Sequence, residues 1–281
     1  MKHPEKWRET VNPYQLPYQN FELKEILGYP HAGNDVFHAK GIYRQQEVEV
    51  FIKAARQHGA DIQNEIDVIR ALEHPLVPQI IDYDMQKEQF VVSLAKTGDR
   101  LSIIVGDNAD KQSLKYMYEY GRTLAGLHGI KGIVHKVKDR KFFHIPEKSH
   151  FESSDFMYVR DYLVEKQPVQ VNECFCHGDF HFANILWENE HISAILDFEL
   201  AGWGNKEFDI AWALILRPGQ KFLNTQEEID LFLEGYASQG TYDKEAVKYY
   251  MVLIYTYFYK FKGNSEEYLE YIEQVFRKCC I

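Results

Sequence analysis

At 281 residues the chain is long enough for two lobes around separate small cores, and with 45% apolar and 26% charged residues it reads as ordinary globular protein. A net charge of −10 argues against nucleic acid as a partner; it suits a small cationic substrate and equally serves solubility alone. Met1 to Arg8 carry no apolar signal core, and the longest aromatic-aliphatic run, Tyr249 to Tyr259, is too short to span a bilayer, so a cytoplasmic protein with no membrane partner is expected. The four cysteines, as Cys174-x-Cys176 and Cys279-Cys280, lack zinc-finger spacing and read as reduced thiols.

Residues 1–20 contain Pro4, Pro13 and Pro17, which limit them to a loosely tied arm or a first helix turn. Strands are then predicted at Phe21–Leu27, Val36–Tyr43 and Val48–Ala54. In the third, Val48, Val50, Ile52 and Ala54 share one face by period two, which puts Lys53 on the other face with Phe51. A lysine in the middle of such a strand needs a partner. Glu65, twelve residues on, flanks the helical stripe Ile62, Ile66, Ile69 and Leu72. A hairpin of Ile80–Asp84 and Gln89–Leu94 follows, then the turn Lys96 to Asp99. A helix is predicted near Ser113–His128, and His128 is expected to pack structurally. Residues 131–148 hold six Lys/Arg against Asp139 and Glu147, as either an anion-binding loop or a solvated connection. Residues 151–166 read as a helix leading to Pro168 and a strand.

Residues 174–199 concentrate polar groups inside apolar sequence. Ile185 to Trp187 and Ile192 to Leu196 read as short buried strands joined by the polar turn Glu188 to His191. Asp179 and Asn184 precede this hairpin, and Asp197 leaves it thirteen residues after Asn184. Carboxylates dislike apolar surroundings unless a cation or donor compensates them. Asn184 and Asp197 are hard oxygen donors of the kind Mg²⁺ accepts beside substrate phosphates, and Asp179 could accept the proton of an alcohol attacking the bound phosphate.

The spacing His-x-Asp-x-x-x-x-Asn followed by Asp-Phe, here His177 to Asn184 and then Asp197-Phe198-Glu199, resembles the catalytic and metal loops of the protein-kinase fold. Gly178 after the histidine, and Glu199 where protein kinases have glycine, resemble the aminoglycoside phosphotransferase and choline kinase superfamily instead. No Ala-Pro-Glu segment follows. The resemblance implies an α+β, bilobal, protein-kinase-like fold: a small antiparallel-sheet N-lobe over residues 1–95 and a mainly helical C-lobe over 96–281. It implies that Lys53 holds the α/β phosphates of ATP or GTP while Glu65 fixes Lys53, and that Mg²⁺ sits on Asn184 and Asp197 with Asp179 as base. Ser93 and Ala95 fall at the family's hinge, whose backbone meets the nucleobase. The turn with Gly33 and Asn34 stands where a kinase covers the phosphates, although its glycines lack Gly-x-Gly-x-x-Gly spacing and a plain hairpin turn fits equally. His177, Glu199 and Asp209 are expected to support these groups, Asp209 from behind the catalytic loop. The family commonly has Gly-Asp-Pro before Asp-Leu-Ala; this chain has Gly204-Asn205-Lys206, which leaves Asp209 in place.

Three more helices are expected: 226–237, opened by a Thr225/Glu228 capping box; 242–262, rich in Tyr and Phe and ended by Gly263; and a last one capped by Asn264 or Ser265. Their acids, Glu227, Glu228, Asp230, Glu234, Glu266, Glu267, Glu270 and Glu273, serve either as solvated faces or to greet an ammonium group. The tyrosines of 249–259 serve either as core or as a cation cage. The expected activity is transfer of the γ-phosphate of ATP or GTP to a hydroxyl of an aminoglycoside-like or other small acceptor, with choline and other amino alcohols as the alternative. Two other classes remain. A nucleotide-binding pseudokinase would be marked by loss of Lys53, Asp179 or Asp197, and all three are present. A metal hydrolase on His177, His181 and Asp179 would crowd three ligands into five residues, a span that rarely surrounds one ion.

Overall fold

A computed structural model describes residues 8–30, 33–56, 60–86, 89–132, 136–152, 156–169 and 173–281. Strands β1 (Phe21–Gly28), β2 (Asp35–Tyr43) and β3 (Gln46–Ala54) are followed by helix α1 (Ile62–Leu72) and by β4 (Ile80–Asp84) and β5 (Phe90–Leu94). The strands form one antiparallel sheet in the order β1-β2-β3-β5-β4. Period-two alternation decides its two faces. Val50, Ile52 and Ala54 pack against Phe37, Ala39, Phe90 and Val92 on one side. On the other, Ile62 and Ile66 of α1 pack on Val91, the register partner of Lys53. Lys53 therefore faces the side that α1 covers.

The N-terminal arm, expected to be loosely tied, is anchored over its described residues. Asp82 Oδ2 accepts the backbone N–H groups of Gln19, Asn20 and Phe21 at 2.8, 2.7 and 3.0 Å. Asp35 accepts from Val11 N and the Arg8 guanidinium, both at 3.0 Å. Two buried carboxylates thus take donors from the arm, from the first residue of β1 and from Arg8.

The second part comprises β6 (Asp99–Arg100), α2 (Leu101–Ile104), α3 (Leu114–His128), α4 (Lys148–Glu152), α5 (Met157–Glu165), β7 (Glu173–Cys176), β8 (Ile185–Glu188), β9 (His191–Ile195), β10 (Gly202–Asn205), α6 (Lys206–Leu214), α7 (Gln226–Ala237), α8 (Lys244–Tyr259) and α9 (Glu266–Cys280). Strands β6, β8 and β9 form one small sheet, and β7 pairs with β10 in another. A single core joins these elements around Met117, Tyr120, Phe180, Trp187, Phe198, Tyr236 and Tyr255. Helices α3 and α7 touch so closely at Gly121 that a Cβ there would lie 1.8 Å from the Phe232 carbonyl oxygen.

Several boundaries differ from the sequence reading. The helix expected over 151–166 is two, α4 and α5, with residues 153–155 outside the described set. Gly202 to Asn205, for which no strand was expected, form β10, because they pair with the strand that enters the loop bearing Asp179. Asn205 caps α6 through the Phe208 N–H at 2.9 Å, so the departure from Gly-Asp-Pro is a helix cap. Helix α8 stops at Tyr259, where the Asn264 side chain takes up the carbonyls of Phe258 and Tyr259, while Ser265 caps α9. Among the described residues, no helix is long and apolar enough to cross a membrane. All four cysteines are free, with the Cys174 and Cys176 sulfurs 3.8 Å apart inside β7.

Candidate active site

A cleft of about 1150 Å³ runs between the five-stranded sheet and the helical part. Gly33, Asn34, Lys53, Glu65, Ser93, Ala95, Asp179, Asn184, Asp197 and Glu199 all line it. Residues 31–32 of the turn before Gly33 lie outside the described set. At the hinge the Ala95 N–H already donates to the Glu49 carbonyl at 2.9 Å, so that amide is engaged.

Lys53 is the centre of one side of the cleft. Its Nζ lies 2.6 Å from Glu65 Oε2, 2.8 Å from Asp197 Oδ1 and 3.1 Å from Glu199 Oε2. Burial works against the ammonium charge, yet Glu65, Asp197 and Glu199 outweigh it and hold the Lys53 pKa well above the usual lysine range. One cation facing three carboxylates leaves a formal excess of two negative charges. Oxygens of those carboxylates also lie within 4.8 Å of one another, a donor set of the charge and hardness that Mg²⁺ takes. Asp197 reaches Lys53 from a left-handed residue, φ 64°, at the exit of β9, a conformation that Asp tolerates better than most side chains.

Glu199 does more than the sequence reading assigned to it. Besides Lys53, its carboxylate accepts from Asn34 Nδ2 at 2.8 Å and from the backbone N–H of Asp61, the residue that caps α1, at 2.9 Å. Asn64 Nδ2 donates to the carbonyls of Glu199 and Ala201 at 3.0 and 2.9 Å. The segment after Asp197 is therefore fastened to α1 and to the β1–β2 turn.

Asp179 stands across the cleft. Asn184 Nδ2 donates to the Asp179 carbonyl at 3.0 Å and to Oδ2 at 3.2 Å, so the amide's oxygen is its remaining ligand atom. The Trp212 indole N–H donates to Asp179 Oδ1 at 2.7 Å. Burial works to raise the Asp179 pKa; the neighbouring His181 and the charge of Arg217 outweigh it and bring the carboxyl down to about 2.

The loop bearing Asp179 is held from behind. Asp209 accepts the N–H groups of His177 and Gly178 at 2.9 and 3.0 Å, and His128 Nε2 lies 3.1 Å from the same carboxylate. His177 is buried, and its Nε2 donates to the Leu196 carbonyl at 3.0 Å, tying the loop to the strand before Asp197. Gly178 has φ 78°, and a Cβ on it would lie 2.2 Å from the Leu200 carbonyl oxygen. That close approach explains glycine at this position. Its carbonyl accepts from Arg140 Nη2 at 2.7 Å. The basic segment, described apart from residues 133–135, keeps Lys131, Lys136, Lys138, Lys141 and Lys148 exposed, as a solvated connection would, and contributes Arg140 to the loop bearing Asp179.

The acids named above as candidates to greet an ammonium lie outside this cleft. Glu228 is buried in the capping box with Thr225 and accepts from Ser113 at 2.6 Å. None of the eight named on α7 and α9 lines the cleft. Of the α8 tyrosines, Tyr249 and Tyr255 are buried core, and Tyr257 donates to the His144 carbonyl. Trp212, Arg140, Asp61 and Asn64 were not foreseen. Only Asp61 carried a sequence signal, as an N-cap residue type before an apolar stripe.

A sheet with one covering helix, set against a mainly helical part with a catalytic-type hairpin, is the architecture of the protein-kinase-like small-molecule kinases. The chain belongs to the phosphotransferase enzyme family, whose family model matches residues 42–250. An aminoglycoside 3'-phosphotransferase of Niallia circulans is 24% identical over 260 residues, covering 83% of this chain and 95% of that protein. Among solved structures, a spectinomycin phosphotransferase in complex with ADP and spectinomycin superimposes with a TM-score of 0.57 at 15% identity, covering 89% of this chain and 88% of that one. A choline kinase from Cryptosporidium parvum gives 0.56 at 14% identity, covering 92% and 88%.

Proposed function

We propose that this enzyme transfers the γ-phosphate of ATP or GTP to a hydroxyl of a small acceptor, either an aminoglycoside-like molecule or another hydroxylated metabolite. The observation that carries this reading is the placement of Lys53, Asp197, Asn184 and Asp179 around one cleft. Residues 1–95 form the nucleotide-holding lobe and 96–281 the lobe that carries the acceptor.

Lys53, kept charged by its carboxylates, holds the α/β phosphates, and Glu65 fixes its side chain. Asp197 and the Asn184 amide oxygen would hold Mg²⁺, with Glu199 beside them; the ion supplies charge neutralisation on the phosphates. The backbone at Ser93 and Ala95 meets the nucleobase, at Ala95 through its carbonyl because Glu49 holds the N–H, and Gly33 and Asn34 cover the phosphates. Asp179 orients the acceptor O–H. As the new O–P bond forms and the bond from Pγ to the β–γ bridging oxygen breaks, the hydroxyl proton passes to Asp179 and ADP (or GDP) leaves. His177 and Asp209 keep the Asp179 loop in place without meeting substrate.

The test is nucleotide consumption, with product mass analysis, across aminoglycosides, choline, ethanolamine and neutral sugars. The reading expects Mg²⁺-dependent consumption stimulated by at least one alcohol and a product heavier by one phosphoryl group. Mg²⁺·ATP binding with no turnover under any acceptor would favour a pseudokinase.

A further inference from the structure

Trp212 lies in α6, where every residue from Glu207 to Leu214 is buried, and its ring packs with Phe142, Phe208 and Phe258. That setting alone would make it core. Its one polar atom, however, is committed to Asp179 Oδ1 at 2.7 Å, the shortest hydrogen bond this carboxylate makes. Two guanidiniums also lie against the same indole. Arg140 is 5.0 Å and Arg217 5.3 Å from the ring centroid. Arg140 is itself fixed by the Gly178 carbonyl, and Arg217 by the carbonyls of Trp212 and Ile215 at the end of α6. Cations drawn to an indole pull electron density from it and sharpen its N–H as a donor.

We propose that Trp212 is a positioning residue for Asp179: its indole N–H clamps Oδ1, fixes the rotation of the carboxylate, and leaves Oδ2, held less tightly by Asn184 Nδ2 at 3.2 Å and with His181 Nε2 at 3.6 Å, to receive the acceptor's proton. Arg140 and Arg217 brace the indole and add positive charge behind the carboxylate. This rests on Asp179 being the base. A carboxylate free to rotate presents the wrong oxygen or the wrong lone pair for part of the time, and misplacement of a reacting group by a fraction of an ångström is expensive in rate.

Two substitutions separate the N–H from the ring. Trp212→Phe keeps an aromatic group in the core and deletes the donor. Trp212→His superimposes a ring nitrogen on the indole nitrogen and deletes the six-membered ring. Turnover is measured under saturating Mg²⁺·ATP with water as acceptor and with any alcohol found in the screen above. The Phe variant is expected to lose about tenfold or more in kcat, the scale of one hydrogen bond to a charged group. The His variant should keep more of the rate despite a lower Tm, and KM for ATP should stay within about twofold in both, as the phosphate-holding groups are untouched. Rates that simply follow Tm, with Phe above His, would overturn the proposal.

The contact also has a readout that needs no activity. In the ¹⁵N spectrum the Trp212 indole N–H should move upfield in Asp179→Ala, and an unmoved signal would contradict the clamp. Asp179→Asn tells the two claims apart. If it turns over at the wild-type rate, the base assignment fails. If it is inactive while Trp212→Phe is fully active, only the role of Trp212 fails.

Discussion

Lys53 faces more negative charge than one ammonium neutralises, and this decides what its neighbours can do. Glu65 is the partner on the lysine's own lobe, 2.6 Å away, whereas Asp197 and Glu199 come from the opposite side of the cleft. On the proposed reading a nucleotide's phosphates replace the last two and Glu65 stays. Lys53→Ala and Glu65→Ala should therefore each weaken nucleotide binding and turnover, and the double variant should be less than additive, with a coupling of about 0.5–3 kcal/mol. Full additivity in that cycle would mean that the contact does not matter to nucleotide handling. Asp179 behaves differently. With its pKa near 2 it is ionised throughout the neutral range, and it can act as a base without first losing a proton.

At the level of elements, the catalytic loop depends on its fastening to α6 and α3. Burial alone would depress the pKa of His128, but the Asp209 carboxylate and Cys174 outweigh it and raise the pKa to about 9 from an ordinary 6.5. A folded-state pKa above the unfolded one gives stability that is complete below about 6.5 and fades as pH rises through about 9. Thermal melts from pH 6 to 10 should therefore show the wild type losing its advantage over His128→Asn across that window. A difference in Tm that stays constant with pH would show that His128 does not carry a charge there. Much of this level was legible in the sequence. Alternation placed Lys53 on the α1 side of β3, and the polar turn Glu188 to His191 gave the β8–β9 hairpin, where Asn189 and Glu190 take the positive φ such turns need. Local chemistry at helix ends was less decisive, and only the fold shows that Asn264 closes α8 while Ser265 opens α9.

Over the whole molecule, the candidate site was legible where its residues share a short motif and hidden where they come from far along the chain. His177 to Asn184 and Asp197 to Glu199 declared themselves by spacing. Trp212 sits in a helix turn whose residues are all buried, so nothing in the pattern separates an indole that donates to a carboxylate from one that only fills space. Arg140 was one of six cations in a basic stretch, and the contact with Gly178 is settled by how that stretch packs across α6 and α8. Charge behaved in the same way: the net −10 says nothing of a site in which Lys53 faces excess carboxylate while Asp179 has two guanidiniums nearby.

The central claim, that this cleft transfers a phosphoryl group with Asp179 as its base, is tested most directly by one variant. Asp179→Asn keeps the side chain's shape and an acceptor oxygen but cannot take a proton. With ATP affinity measured beside acceptor-dependent turnover, affinity should stay within a few-fold, because Lys53 and the carboxylates around it are unaltered. Turnover should fall by about 10²-fold or more, the scale of a lost general base. Wild-type turnover together with lost ATP binding would contradict the account and make Asp179 a structural or metal-binding residue.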